Sequence, residues 1–173
     1  HQEARRQRQM CIRDSLLADN GICGALWADW WGFKHEAYDM VQANIAIVDQ
    51  ARNGTGCAIV HSDDERGIQR LNQEAAKAWS AGNRAGYNIS KARAINWITS
   101  NPAKAAGIYD RTGSIVAGKD ADLVLWSKNP FSVYALAESV YIDGGLAFDR
   151  EAGFYPVSDF DLGIIKPSGV RVE

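Results

Sequence analysis

The sequence predicts an α/β fold in which strands and helices alternate up to about residue 107 and only strands follow. Three observations carry that expectation. Two short apolar runs, Ala25-Leu26-Trp27-Ala28 and Gly56-Cys57-Ala58-Ile59-Val60, are each followed downstream by a stretch with apolar residues every three or four positions. The second run is continuously apolar rather than alternating, the pattern of a parallel strand covered on both faces. Beyond Gly107 the helical spacing stops, and Asp143-Gly144-Gly145 separates Val140-Tyr141-Ile142 from Leu146-Ala147-Phe148. Asp-Gly between apolar runs signals a hairpin, because the tight primed turns need positive φ.

The elements follow in order. Residues 1–15 are polar and basic, with Arg5, Arg6, Arg8 and Arg13, and suit a solvated helix or tail. The string Arg8-Gln9-Met10-Cys11-Ile12-Arg13-Asp14-Ser15 also resembles translated sequencing-adapter sequence, so the segment is read as non-native or disordered and left out of the fold. A strand is expected at 25–28. A helix is expected over 36–52, with Met40 or Val41, Ile45, Val48 and Ala51 on one face and Gly54 as its stop. The strand 57–60 leads to a helix over 66–81, whose stripe is Ile68, Leu71, Ala75 and Trp79. Ser90 caps a further helix through Ile95 and Ile98. In Asn101-Pro102-Ala103-Lys104-Ala105-Ala106-Gly107 the asparagine is expected to cap, the proline to take the first helical position and the glycine to end the helix. Residues 113–126 and 140–148 read as strands and turns, and 151–173 as a tail without assigned structure.

Bulk composition narrows the function classes. The 173 residues are 46% hydrophobic and 23% charged, with a net charge of -2 and acids and bases interspersed. That balance offers no field for nucleic acid or an anionic membrane surface. No apolar run approaches the roughly 20 residues that span a bilayer. The three cysteines, Cys11, Cys23 and Cys57, are widely spaced and odd in number, so neither a zinc pair nor a disulfide framework is expected, and Cys57 reads as a buried free thiol. Two α/β strands cannot close a barrel or cover both faces of a sheet, which points to further sequence upstream. A small α/β domain complete at this length is the less favoured alternative.

Chemistry concentrates where the apolar strands end. His61-Ser62-Asp63-Asp64 begins abruptly after Val60, and in parallel β/α architecture the carboxyl ends of strands hold the reactive groups. A carboxylate such as Asp63 can bind a cation there and take a proton from its water. The same cluster suits a loop with a helix cap, with Asp63 or Asp64 favouring the positive end of the following helix, and spacing alone does not separate the two. Asp29-Trp30-Trp31 occupies the equivalent place after the first strand. There, and with Lys34, Tyr38 and His61, it suits either a substrate pocket or packing between layers. His35 reads as an exposed helix histidine. Ser114 to Asp122 carries turn glycines but no helix start, so it is no phosphate loop.

Asn101-Pro102-Ala103-Lys104 with Gly107-Ile108, Gly113-Ser114-Ile115, Gly118-Lys119-Asp120-Ala121-Asp122-Leu123-Val124 and Ile142-Asp143-Gly144 together resemble the C-terminal signature of the amidohydrolase superfamily. Ala28-Asp29-Trp30-Trp31, Ser62-Asp63 and Arg70-Leu71-Asn72-Gln73-Glu74-Ala75-Ala76-Lys77 are similar to its imidazolonepropionase-like branch. The resemblance covers about residues 16–150. It implies the C-terminal part of a (β/α)8 TIM-like barrel over 16–112, with 25–28 and 57–60 as its last two strands, and strands of a small composite β-sandwich over 113–150. It also implies a divalent metal, zinc by expectation, with Asp63 as a ligand that shuttles a proton to and from the attacking water. The substrate would be a small molecule, a cyclic amide, an amidine or a related C–N compound. The family's His-x-His, its fourth-strand lysine and its fifth-strand histidine have no counterpart here. The expected partners are therefore the N-terminal half of the same protein and, as an open alternative, further copies of the chain. The chain alone is expected to be inactive. A non-catalytic binding domain, with Trp27, Trp30 and Trp31 as contact residues, is the competing reading. Cytoplasmic and exported placement both stay open.

Overall fold

The computed structural model describes residues 13–28, 32, 35, 38 and 40–152. Helical backbone over 13–19 (α1) leads into β1 (Cys23–Leu26). After a long connection come α2 (Asn44–Gly54) and β2 (Cys57–Val60). Then follow α3 (Leu71–Arg84), α4 (Lys91–Ala94) and α5 (Ser100–Ala105), and finally β3 (Leu123–Trp126), β4 (Ala137–Ile142) and β5 (Gly145–Asp149). The expectation of residues 1–15 as a non-native or disordered segment falls mostly on 1–12, outside the described residues, while 13–15 form the first turn of α1 with Asp14 buried.

β1 and β2 pair in parallel, Cys23 opposite Cys57 and Leu26 opposite Val60. Strand side chains alternate, so Ala58 and Val60 turn to one face and Cys57 and Ile59 to the other. The first face is buried under α2, α3 and the turn after α4, in a core of Ile45, Ala46, Val48, Ala75, Ala78 and Trp97. Close approach sets the glycines here. A Cβ on Gly56 would lie 1.8 Å from the Val48 carbonyl oxygen, and one on Gly82 would lie 2.5 Å from the Ala46 Cβ. The first strand starts at Cys23, two residues before the expected run, because pairing with β2 decides its extent and not its apolarity.

The structure corrects the cysteines. Cys23 and Cys57, read as unpaired, form a disulfide across the two strands, with Cα atoms 4.5 Å apart. Thirty-four residues separate them in sequence, yet parallel pairing makes them direct neighbours. Spacing along the chain carries no trace of such a register.

Other elements shift in instructive ways. α2 begins at Asn44, not near 36, and its regular turn ends where Arg52, Asn53 and Gly54 adopt φ of 50°, 61° and 87°. Arg52 there pairs with Asp19 of α1 at 2.7 Å, which holds the Asp19 carboxyl below the usual carboxylate range. The stripe of α3 holds at Ala75, while Ile68 falls in a short 3-10 turn and is exposed. Ser90 caps α4, its Oγ accepting from the Arg93 N–H at 3.1 Å. Asn101 is not the cap of α5. It lies within the helix, where its amide donates to the buried Ala58 carbonyl at 2.8 Å and so ties α5 to β2. Gly107 does end that helix, at φ 71°. Its N–H donates to Lys104, and that of Ile108 to Ala103, closing a Schellman turn.

β3, β4 and β5 form an antiparallel sheet in sequential order. Asp143 and Gly144 take φ of 50° and 78°, as a primed hairpin turn requires. Gly113–Val116, expected as a strand, forms none, and Ile115 is 88% exposed. No strand among the described residues pairs with it. Gly113 instead presses on α5, where a Cβ would lie 2.5 Å from that of Ala103. The aspartates of the Gly-Lys-Asp-Ala-Asp run act as ties. Asp120 pairs with Arg111 at 2.7 Å, and Asp122 accepts from the Thr112 hydroxyl at 2.8 Å and the Asp143 N–H at 3.1 Å.

Candidate active site

The carboxyl ends of β1 and β2 lie side by side, and the residues that follow them form the candidate site. The His61 N–H donates to the Leu26 carbonyl at 3.1 Å, so the ladder extends one step past the strands. That step brings the rings of Trp27 and His61 together, 5.6 Å between centroids and tilted by 37°. Asn44, at the start of α2, fixes the same end of β1. Its amide donates to the Trp27 carbonyl at 3.1 Å, and its Oδ1 accepts from the Ile45 N–H at 2.6 Å. A buried asparagine thus satisfies a strand-end carbonyl and a helix-start N–H together.

The turn after β2 separates the two aspartates that the sequence leaves equivalent. Ser62 is buried, and its Oγ donates to the Asp64 carbonyl at 3.0 Å. The Asp64 Oδ1 accepts from the Arg66 N–H at 3.1 Å, and its carbonyl accepts from Gly67 and Ile68. Asp64 is therefore the residue that organises the turn. A Cβ on Gly67 would stand 2.8 Å from that of Ser62, so the turn folds back tightly on itself. Asp63, between them, is exposed and sits at φ 52°. Left-handed backbone costs a non-glycine residue energy, though aspartate tolerates it better than most. Among the described residues no hydrogen bond or ion pair engages its carboxylate. The cost of the turn is thus spent on a residue whose side chain takes no part in holding it.

Of the other residues singled out from sequence, His61 is half-buried against Trp27. His35 is exposed and Tyr38 is 70% exposed. Asp29, Trp30, Trp31 and Lys34 lie outside the described residues. No three His, Cys, Asp or Glu side chains among the described residues come together to hold a metal ion. No helix among them is long and apolar enough to cross a membrane.

Sequence reading missed a buried charged group that packs α2 against α4. Asp49 is fully buried and accepts from Arg93 Nε at 2.9 Å and from Trp97 Nε1 at 2.8 Å. Arg93 also donates to the carbonyls of Asp49, Gly54 and Gly56, at 3.2, 2.7 and 3.4 Å. The signal was present: Asp49 follows Ile45 by four residues, so it stands in the apolar stripe of α2. A carboxylate in such a stripe calls for a buried cationic partner.

Comparison with known proteins points to one family. The amidohydrolase family profile matches residues 66–148. The Hapsidospora irregularis protein named Amidohydrolase tasK is 33% identical over 126 residues, 72% of this chain and 12% of that protein. Imidazolonepropionase of Shewanella oneidensis is 44% identical over 41 residues, 24% of this chain and 10% of that protein. The crystal structure of an amidohydrolase from Thermotoga maritima superposes with a TM-score of 0.69 at 30% identity, covering 82% of this chain and 35% of that one. The chain therefore spans about a third or less of the length of these relatives. By its profile match, its relatives and its fold, the chain belongs to the amidohydrolase superfamily.

Proposed function

We propose that this chain supplies the last two β/α units of the barrel, and closing strands of the accompanying sandwich, in a metal-dependent hydrolase of C–N bonds in cyclic amides, amidines or related small molecules. The observation that carries the reading is the division of labour after β2. Asp64 organises the turn, while Asp63 stands exposed and unengaged at the carboxyl end of a parallel strand. Membership of the family supports the reaction class.

Asp63 fits a divalent metal as one oxygen donor, and zinc accepts such a carboxylate. A bound metal would supply the Lewis acidity that readies a water for attack at neutral pH. Asp63 would hold that cation and carry the proton from the attacking water to the leaving nitrogen. His61 and Trp27 would wall the adjacent substrate space, with Asp29, Trp30, Trp31 and Lys34 contributing from the connection that follows β1. One donor does not hold zinc in a working geometry, so the remaining ligands are assigned to the upstream half of the same protein, and the 173 residues alone are inactive.

The test is Asp63→Asn in the full-length protein. Hydrolysis of cyclic amide and amidine substrates falls to background, while the circular dichroism spectrum and unfolding midpoint stay those of the parent. Turnover retained in the variant removes Asp63 from the mechanism. Metal content retained at the parent level removes it from the ligand set.

A further inference from the structure

We propose that Cys23–Cys57 is a thiol–disulfide exchange site, opened by a dithiol reductant that enters from the amino-terminal end of the β1–β2 pair. The bridge joins the first residues of both strands, so it lies at the opposite end from Asp63. By strand alternation it projects from the face that α2 and α3 do not cover. Both cysteines are half-buried. They line a cavity of about 540 Å³ together with Gly56, Arg93, Asn101 and Lys104. A disulfide buried for packing alone would be enclosed by apolar side chains. This one borders an open polar cavity with two cationic residues, the setting in which thiolates are stabilised and exchange is fast.

The chemistry is a two-electron transfer from the dithiol to the cystine. A reductant thiolate attacks the Cys57 sulfur, the S–S bond breaks, and Cys23 leaves and takes up a proton. The Asn101 carbonyl oxygen lies 3.9 Å from the Cys23 sulfur and receives the new S–H as a hydrogen-bond acceptor. The second thiol of the reductant then attacks the mixed disulfide. It leaves as a cyclic disulfide and releases Cys57 as a thiolate into the cavity that Lys104 also lines. Reduction removes the covalent cross-link between β1 and β2, so the opened form is the less stable one.

The experiment compares the full-length protein with two variants. Native protein is treated with dithiothreitol, trapped with iodoacetamide and mapped by mass spectrometry. The peptides carrying Cys23 and Cys57 are expected linked before treatment and singly alkylated after it. The melting temperature falls by roughly 10 °C on reduction, from the loop entropy the bridge withholds and the size of the chain. The variant C23S/C57S starts at the lower temperature and ignores dithiothreitol. Lys104→Glu keeps the fold but slows native reduction severalfold, because it places a negative charge in the path of the incoming thiolate, an effect a purely structural bridge would not show. The proposal is overturned if the two peptides are never linked, if reduction requires prior unfolding, or if Lys104→Glu leaves the rate unchanged.

Discussion

Replacing Arg93 by methionine tests the group that ties α2 to α4. Methionine keeps much of the apolar stem and removes the guanidinium, leaving the fully buried Asp49 carboxylate with the Trp97 indole N–H and the Gln50 amide as its remaining donors. It also strips the carbonyls of Gly54 and Gly56 of a shared donor. Removing one partner of a buried ion pair costs roughly 3–5 kcal/mol. The Arg93 side chain is 37% exposed, so solvent screens part of its attraction, and the low end, about 3 kcal/mol, is the expected loss. Equilibrium unfolding in urea, followed by tryptophan fluorescence, reads it as a lower midpoint at unchanged slope. Arg93→Lys recovers only part, since one ammonium cannot reach the carboxylate and both carbonyls together. The double variant Asp49→Asn with Arg93→Met is more stable than Arg93→Met alone, because it no longer buries an unpaired charge. A loss below about 1 kcal/mol, or a double variant no better than the single one, would show the pair to be an ordinary surface bridge.

Three further outcomes test the turn, the packing and the acid sensitivity. Asp64→Ala should lower stability by about 1 kcal/mol, as loss of a capping carboxylate does, whereas Asp63→Asn leaves the unfolding midpoint unchanged; the urea midpoints of the two variants decide whether the turn distinguishes them. Gly56→Ala should give little soluble protein, since its Cβ would lie 1.8 Å from backbone oxygen, and expression with a parent-like melting curve would contradict that packing. Asp122 is held below its ordinary value of 3.8, chiefly by the Asp143 N–H and then by the Thr112 hydroxyl. A lowered folded-state pKa means that its contribution is complete above the ordinary value and disappears as pH falls through the lowered one. The melting temperature of the parent should therefore drop more steeply than that of Asp122→Asn as pH falls below about 4, and parallel curves would remove Asp122 from the acid sensitivity.

Local chemistry makes several elements legible in the sequence. The apolar run at 57–60, the Asp143-Gly144 turn, the Ser90 cap and the Gly107 helix end all depend on residues within a few positions of one another. What escaped depends on partners far along the chain. Asn101 has the composition of a cap, but the Ala58 carbonyl, 43 residues away, claims its amide. Gly113–Val116 has the residues of a strand and no neighbour among the described residues to complete it. Cys23 and Cys57 meet because two strands share a register, a quantity that sequence spacing does not encode. At the site, sequence placed Asp63 and Asp64 together, and only the turn geometry told the bonded carboxylate from the unengaged one.

The bridge between the two parallel strands has a topological consequence. Residues 24–56, including the whole connection from Trp27 to α2, lie inside a covalent ring closed at Cys23 and Cys57. A single proteolytic cut anywhere in that connection opens the ring without releasing either piece. The nicked protein then runs as one species until it is reduced, and the strand ends that carry Trp27 and His61 stay tethered to each other through the cut.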